Sequence, residues 1–87
     1  DLAVAMAVLS SNANLPIPEG IAFSAEIGLS GEIRPINRVD QRISEVEKLG
    51  FKKIIVSKNS KGLKTKNYEI EIVQCAKIDE VVKNVFS

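Results

Sequence analysis

The 87-residue sequence predicts an α/β (α+β) domain, a layered mixed sheet with helices, and three observations carry that reading. Apolar residues fall at helical spacing in "RVDQRISEVEKLG" and "KIDEVVKNVFS" but alternate at strand spacing in "IAFSAEI" and "YEIEIVQCA". Glycine, proline and polar stretches separate these blocks. The blocks follow an αββαβαβ-like order with a helix bridging strands, as in a layered domain. A chain this short buries only about 60–65% of its unfolded surface, so its stability margin is thin. Residues 1–87 read as a single partial domain.

In chain order, "DLAVAMAVLSSN" predicts a helix from about Asp1 to Asn12, with the Asp1 carboxylate at its positive end and Pro16 beyond its stop. Residues 2–9 are apolar on every side, so this helix is expected to be covered by protein. Self-association or element swapping is expected to cover Leu2, Val4, Met6 and Leu9. "PIPEG" is a turn. "IAFSAEI" (21–27) is a strand, "GLSG" (28–31) bends or turns it, and "EIRPI" (32–36) resumes extended structure, with Pro35 restricting it to an edge or strand end. Asn37 suits the N-cap of the next helix, whose apolar stripe is Val39, Ile43, Val46 and Leu49 and whose C′ residue is Gly50. "FKKIIVS" is a strand, residues 57–67 are a polar loop, and "YEIEIVQCA" is a further strand with Glu69 and Glu71 on one wet face. A closing helix packs through Ile78, Val81, Val82 and Val85.

Composition excludes several chemistries. There is no histidine, which removes the commonest general base, the Ser–His and Cys–His pairs and the His-containing zinc sites. A lone cysteine, Cys75, cannot form an internal disulfide, fits a reducing cytosol and reads as a small packed strand residue. The run Leu2–Leu9 is too short to span a bilayer, and no basic segment or Met precedes it as in a secretory signal. The chain is expected to be a cut-out piece of a longer cytoplasmic protein. "GLSG" lacks the spacing and lysine of a phosphate loop.

Charge distribution says more than the net charge of +1. Arg34, Arg38 and Arg42 are spaced by four, and Arg38 and Arg42 would share one helix face, either solvated or facing an anion or a neighbouring subunit. Lys52, Lys53, Lys58, Lys61, Lys64 and Lys66 fall within fifteen residues that contain no acid. Nucleic-acid phosphate is the obvious partner for such density. No aromatic is interleaved except Phe51 and Tyr68 at the ends, so base stacking is not signalled. From the residues alone, a basic module without catalytic machinery and a solvated rim both stay open.

"GEIRPINRVDQRISEVEKLGFKKIIVSK" resembles the proteolytic domain of Lon proteases, where a Gly–x–(Val/Ile)–x–Pro–Ile segment leads into a helix and then a strand. "DLAVAMAVLSS", "AEIGLSGEIRPINRVDQRI" and "EKLGFKKIIVSK" are similar to blocks of the Lon-like C-terminal domain of the RadA (Sms) family of bacterial DNA repair proteins. The resemblance runs from the opening helix to "IDEVVKNVF", with Ala25 departing where a glycine is usual. It implies a Lon proteolytic-domain-like fold (ribosomal protein S5 domain 2-like), truncated at its N-terminus.

In active Lon enzymes a lysine follows a Pro–Ile–Gly–Gly–Leu segment, and in that register this chain carries Asp40. An aspartate supplies no ammonium to a serine. The nucleophile's register falls ahead of Asp1, so no catalytic residue and no enzyme activity are expected here. The resemblance further implies a parent DNA-dependent ATPase with ATP, magnesium and zinc bound elsewhere and no cofactor in these residues. Its implied partners are single-stranded or branched DNA, further copies in a hexameric ring and a recombinase, with no membrane. Arg34, Arg38, Arg42, Lys52, Lys53, Lys58, Lys61, Lys64 and Lys66 are then the candidate DNA contacts. A piece of a genuine Ser–Lys protease and a purely structural ring-former are the alternatives. Asp40 speaks against the first, and the lysines speak against the second.

Overall fold

The computed structural model describes residues 1–86, arranged as α1 (Leu2–Ala13), β1 (Ile21–Ser24), β2 (Glu26–Ile27), β3 (Ile33–Arg34), α2 (Val39–Lys48), β4 (Lys53–Ser57), β5 (Glu71–Cys75) and α3 (Ile78–Phe86). One turn of 3₁₀ helix, Thr65–Asn67, lies in the β4–β5 connection. Ser87, the end of the expected closing helix, lies outside the described residues.

Strand β4 is central. It pairs in parallel with β1 (Phe23 opposite Ile55) and with β5 (Ile55 opposite Val73), giving the order β1-β4-β5. Ile54, Ile55, Val56 and Ser57 are all fully buried, as a strand covered on both faces requires. Alternation sends Ile55 into one core with Leu2, Met6, Ala25, Ile33, Cys75, Val81 and Val85 from the α1/α3 side. Ile54 and Val56 enter a second core with Val39, Ile43, Val46 and Ile70 on the α2 side. The architecture is therefore three layers, with α1 and α3 on one face of the sheet and α2 on the other.

The expected mixed sheet resolves into a parallel sheet plus a separate antiparallel hairpin, in which β2 pairs with β3 (Glu26 opposite Arg34). The break falls at buried Ala25, whose carbonyl accepts the Leu2 N–H at the start of α1 and so leaves the strand ladder. The tip, Gly28–Gly31, is closed by Gly28 N–H to Glu32 O and Gly31 N–H to Gly28 O. The Glu32 carboxylate folds back over it, accepting from Ser30 N–H (3.0 Å) and Arg34 Nη2 (2.7 Å). Only a glycine at position 28 leaves room for that carboxylate. The Arg34 hydrogen bond is the chief reason that the Glu32 carboxyl ionises below its usual range.

The cap of α1 agrees with its sequence: Asp1 Oδ1 accepts from Val4 N–H, and left-handed Asn14 closes the C-terminus by donating to Ser10 and Ser11 carbonyls. Coverage of the helix differs from expectation. Leu2 and Met6 are buried within the chain itself, whereas Val4 (60%), Val8 (53%) and Leu9 (41%) remain exposed. One sheet face can contact only one side of a helix, whatever the composition of the other.

Helix α2 starts later than the sequence suggests. Asn37 is not its cap; Arg38 occupies that position with φ 57° and makes no side-chain cap bond. Arg42 N–H still donates to Arg38 O, and Arg38 and Arg42 line one shallow recess with Gln41 and Glu45, so the two arginines stay on the same side of the helix start. Leu49 leaves the expected stripe and is exposed. Gly50 (φ 90°) donates to Glu47 O and Phe51 donates to Val46 O, the doubly bonded glycine stop that turns Phe51, not Leu49, into the core. Glu69 also lies outside β5. The N–H groups of Glu69 and Ile70 donate to the Glu47 carboxylate on α2 (2.7 and 2.9 Å), so Glu69 and Glu71 do not share a strand face.

Two of these geometries make opposite predictions for stability. Arg38→Gly removes a left-handed side-chain clash and should raise stability by up to about 1 kcal/mol, while Ile55→Ala, at the centre of the sheet, should lower it by about 2–5 kcal/mol. Thermal melts followed by circular dichroism check both, at about 4–8 °C per kcal/mol for a domain of this size. Glu32 gives the third prediction. Its folded-state ionisation is depressed, so its bracing of the hairpin is present above the ordinary carboxylate range and is lost as pH falls through the lowered value. Arg34→Gln should raise the Glu32 titration midpoint, read by side-chain carboxyl NMR; an unmoved midpoint would refute the assigned cause.

Candidate nucleic-acid interface

The nine basic candidates do not form one patch. Lys52 and Lys53 stand at the N-terminal end of β4, beside Glu19, Glu71 and Asn84. Lys53 Nζ donates to Asn84 O at 3.3 Å. Two carboxylates therefore accompany these two lysines, and neither extends the loop beyond Ser57. Lys53 opens β4, and the four residues 54–57 separate it from Lys58, about 16 Å from Cα to Cα at strand rise.

Arg34 is committed to Glu32 at 2.7 Å. Arg42, on α2, has its Nε 3.9 Å from Glu45 and lines a recess of about 270 Å³ beside the outer edge of β1, together with Asp1 and Glu26. Its surroundings are thus largely acidic. Lys58 follows β4 directly, and its backbone N–H donates to Cys75 O. Its side chain is exposed, as are those of Lys61, Lys64 and Lys66.

Arg38 and Lys61 are brought together. The Pro35–Asp40 link and the Asn59–Lys61 turn border an open recess of about 290 Å³, whose lining includes Asn37, Arg38, Asp40, Asn59, Ser60 and Lys61. Among the described residues, neither the Arg38 guanidinium nor the Lys61 ammonium has an ion-pair partner. A buried hydroxyl ties β3, which leads into the first wall, to the turn that forms the second: Ser57 Oγ donates to Ile33 O (2.9 Å) and accepts from Asn59 N–H (3.1 Å). Ser60 Oγ in turn donates to Ser57 O (2.8 Å). Sequence reasoning found the two cations but missed Asn37, Asn59 and Ser60. Asn37 lies more than twenty positions before the adjacent Asn59 and Ser60, and the three carry no motif.

Asp40 sits in the first turn of α2 with its side chain exposed, and its carbonyl accepts the Tyr68 hydroxyl at 3.3 Å. Tyr68 thereby pins the end of the β4–β5 connection, which carries Lys64 and Lys66, to the start of α2. Cys75 is buried, and burial pushes its thiol up, the direction opposite to that of a reactive thiolate. No described helix is long and apolar enough to cross a membrane.

Proteins named DNA repair protein RadA match the chain throughout. The Streptococcus pneumoniae (strain ATCC BAA-255 / R6) protein is 48% identical over 87 residues, which is all of this chain and 21% of that protein. The Listeria monocytogenes serovar 1/2a (strain ATCC BAA-679 / EGD-e) protein is 41% identical over 83 residues, 95% of this chain and 18% of its own length. That of Rickettsia prowazekii (strain Madrid E) is 43% identical over 81 residues, 93% of this chain and 17% of its own. The chain thus spans about a fifth of the length of the curated relatives it matches. Residues 1–60 match the family described as Subunit ChlI of Mg-chelatase, and the chain belongs to that family.

Proposed function

We propose that this chain is a non-proteolytic, Lon-like module of a RadA-type DNA repair protein, contributing to oligomerisation and to sequence-independent contact with DNA. The observation that carries the DNA part is the set of exposed cations beyond the C-terminal end of β4, Lys58, Lys61, Lys64 and Lys66, joined by Arg38. Exposed cations without acidic partners release counterions when they meet phosphate, which gives affinity without base readout. Lys52 and Lys53, accompanied by Glu19 and Glu71, drop out of this interface, and Arg34 is held by Glu32. Oligomerisation draws support from α1, whose outward residues Val4, Val8 and Leu9 form an uncharged exposed face. In this reading the nucleotide, magnesium and zinc sites of such a parent belong to parts of it other than these 87 residues. A hexameric ring and a recombinase partner belong to the same proposal, as does a cytoplasmic setting.

Proteolysis is not part of the reading. Asp40 in the register of the Lon lysine is exposed and acidic, so it offers a serine neither an ammonium nor a desolvated base. The full-length parent should not cleave casein; serine-dependent cleavage would reinstate the protease alternative.

Changing Lys58, Lys61, Lys64 and Lys66 together to glutamine in the full-length parent should weaken binding to single-stranded and branched DNA alike. The slope of log affinity against log salt should fall by about 0.9 for each duplex phosphate no longer neutralised and by about 0.7 for each single-strand phosphate. Changing Lys52 and Lys53 should leave the slope unmoved. Oligomer mass measured on the same samples separates weakened DNA binding from failed assembly, and an unchanged slope with assembly intact ends the DNA reading.

A further inference from the structure

We infer that the recess between the Pro35–Asp40 link and the Asn59–Lys61 turn seats one phosphate of a bound nucleic-acid strand, with Arg38 and Lys61 as its cations and Asp40 as an acidic counterweight at its lip. The inference rests on the DNA reading above and narrows it to one place.

Three observations carry it. The recess is concave and holds about 290 Å³, ample for a phosphate group and its water. Its two cations come from segments twenty-three positions apart and converge there without an ion pair, whereas Arg34 and Arg42 each have a glutamate within 4.0 Å. The segments that border the recess are tied to the core: Ser57 bonds Ile33 O, just ahead of the first, and Asn59 N–H in the second. Asn37 and Asn59 add uncharged donors of the kind that complete a phosphate's hydrogen bonding.

Asp40 gives the inference its sharpest edge. A carboxylate beside a seated phosphate repels it, so removing that charge must strengthen binding if an anion occupies the recess. If the recess takes a cation instead, or nothing, removing it must weaken binding or leave it unchanged. The carboxylate makes no hydrogen bond among the described residues, so Asp40→Asn is a mild substitution for the fold.

The test uses the full-length parent and a fluorescent single-stranded oligonucleotide titrated across salt concentrations. Three variants are compared with the unaltered protein: Arg38→Gln with Lys61→Gln, Asp40→Asn, and Lys58→Gln with Lys64→Gln and Lys66→Gln. Glutamine keeps an unbranched side chain at Arg38 and changes nothing in its left-handed backbone. The expected result is several-fold weaker binding by the Arg38/Lys61 pair, with a salt slope lower by about 0.7, and tighter binding by Asp40→Asn. An unchanged Arg38/Lys61 variant beside a weakened triple-lysine variant overturns the recess and leaves the DNA reading standing. No effect in either set overturns both. Weaker or unchanged binding by Asp40→Asn overturns the anionic occupant, and Lys61→Arg, which keeps the charge, should retain the salt slope.

Discussion

Everything in this domain hangs on the burial of β4 on both faces. A five-residue strand with no exposed surface over its last four residues must have every backbone group paired by a neighbouring strand and every side chain met by a covering layer. The first demand places β1 and β5 on either side of it in parallel register. The second sends Ile55 toward α1 and α3 and Ile54 with Val56 toward α2. Neither core is large, so the sheet face, the helix stripes and the caps act together rather than singly. Parallel pairing also forces long connections, and those connections carry the candidate interface.

Much of this was legible in sequence because it is local. Period-2 alternation located β1 and β5, and the 3.6-residue stripe of α3 runs through Val81 and Val85 as its spacing implies. Gly50 stopped α2 where its lack of a side chain permits the left-handed turn. What stayed hidden depends on contacts distant along the chain. Nothing near Ala25 says that its carbonyl belongs to α1, and nothing near Glu69 says that its N–H belongs to Glu47. Arg38 looks like an ordinary helical residue, yet the exit from β3 holds it left-handed, a conformation that sequence preference assigns to glycine or asparagine. The site was half legible. Charge density marked the lysines, but only the path of the chain around β4 separates Lys52 and Lys53 from the rest and sets Lys61 beside Arg38.

Charge placement also differs in kind from place to place. Arg34 serves the hairpin: its guanidinium holds the Glu32 carboxylate ionised, and that carboxylate ties the tip through Ser30. Such an exposed pair adds little stability, because solvent screens it and two flexible side chains must be ordered. Its effect is on shape, by fixing one turn conformation. Arg42 faces Glu45 and the acids beside β1. Among the described residues, the side chains of the lysines after β4 make no comparable hydrogen bond or ion pair. Cations so close together repel one another and slightly oppose folding, a cost that is offset only when an anion arrives.

The recess shows how a surface feature inherits its geometry from a buried one. Ser57 is the last residue of β4 and is fully buried, a position where an apolar side chain would be the ordinary choice. Its hydroxyl is satisfied in both directions, donating to Ile33 O and accepting from Asn59 N–H, so its burial carries no unpaired polar atom. Those two bonds join the hairpin, the central strand and the following turn at one atom. A hydrophobic residue there would fill the same space but leave the Ile33 carbonyl and the Asn59 amide without these partners, freeing the two walls to move apart. The hydroxyl therefore ties the strand that leads into the Arg38 segment to the turn that carries Lys61, although it touches neither side chain.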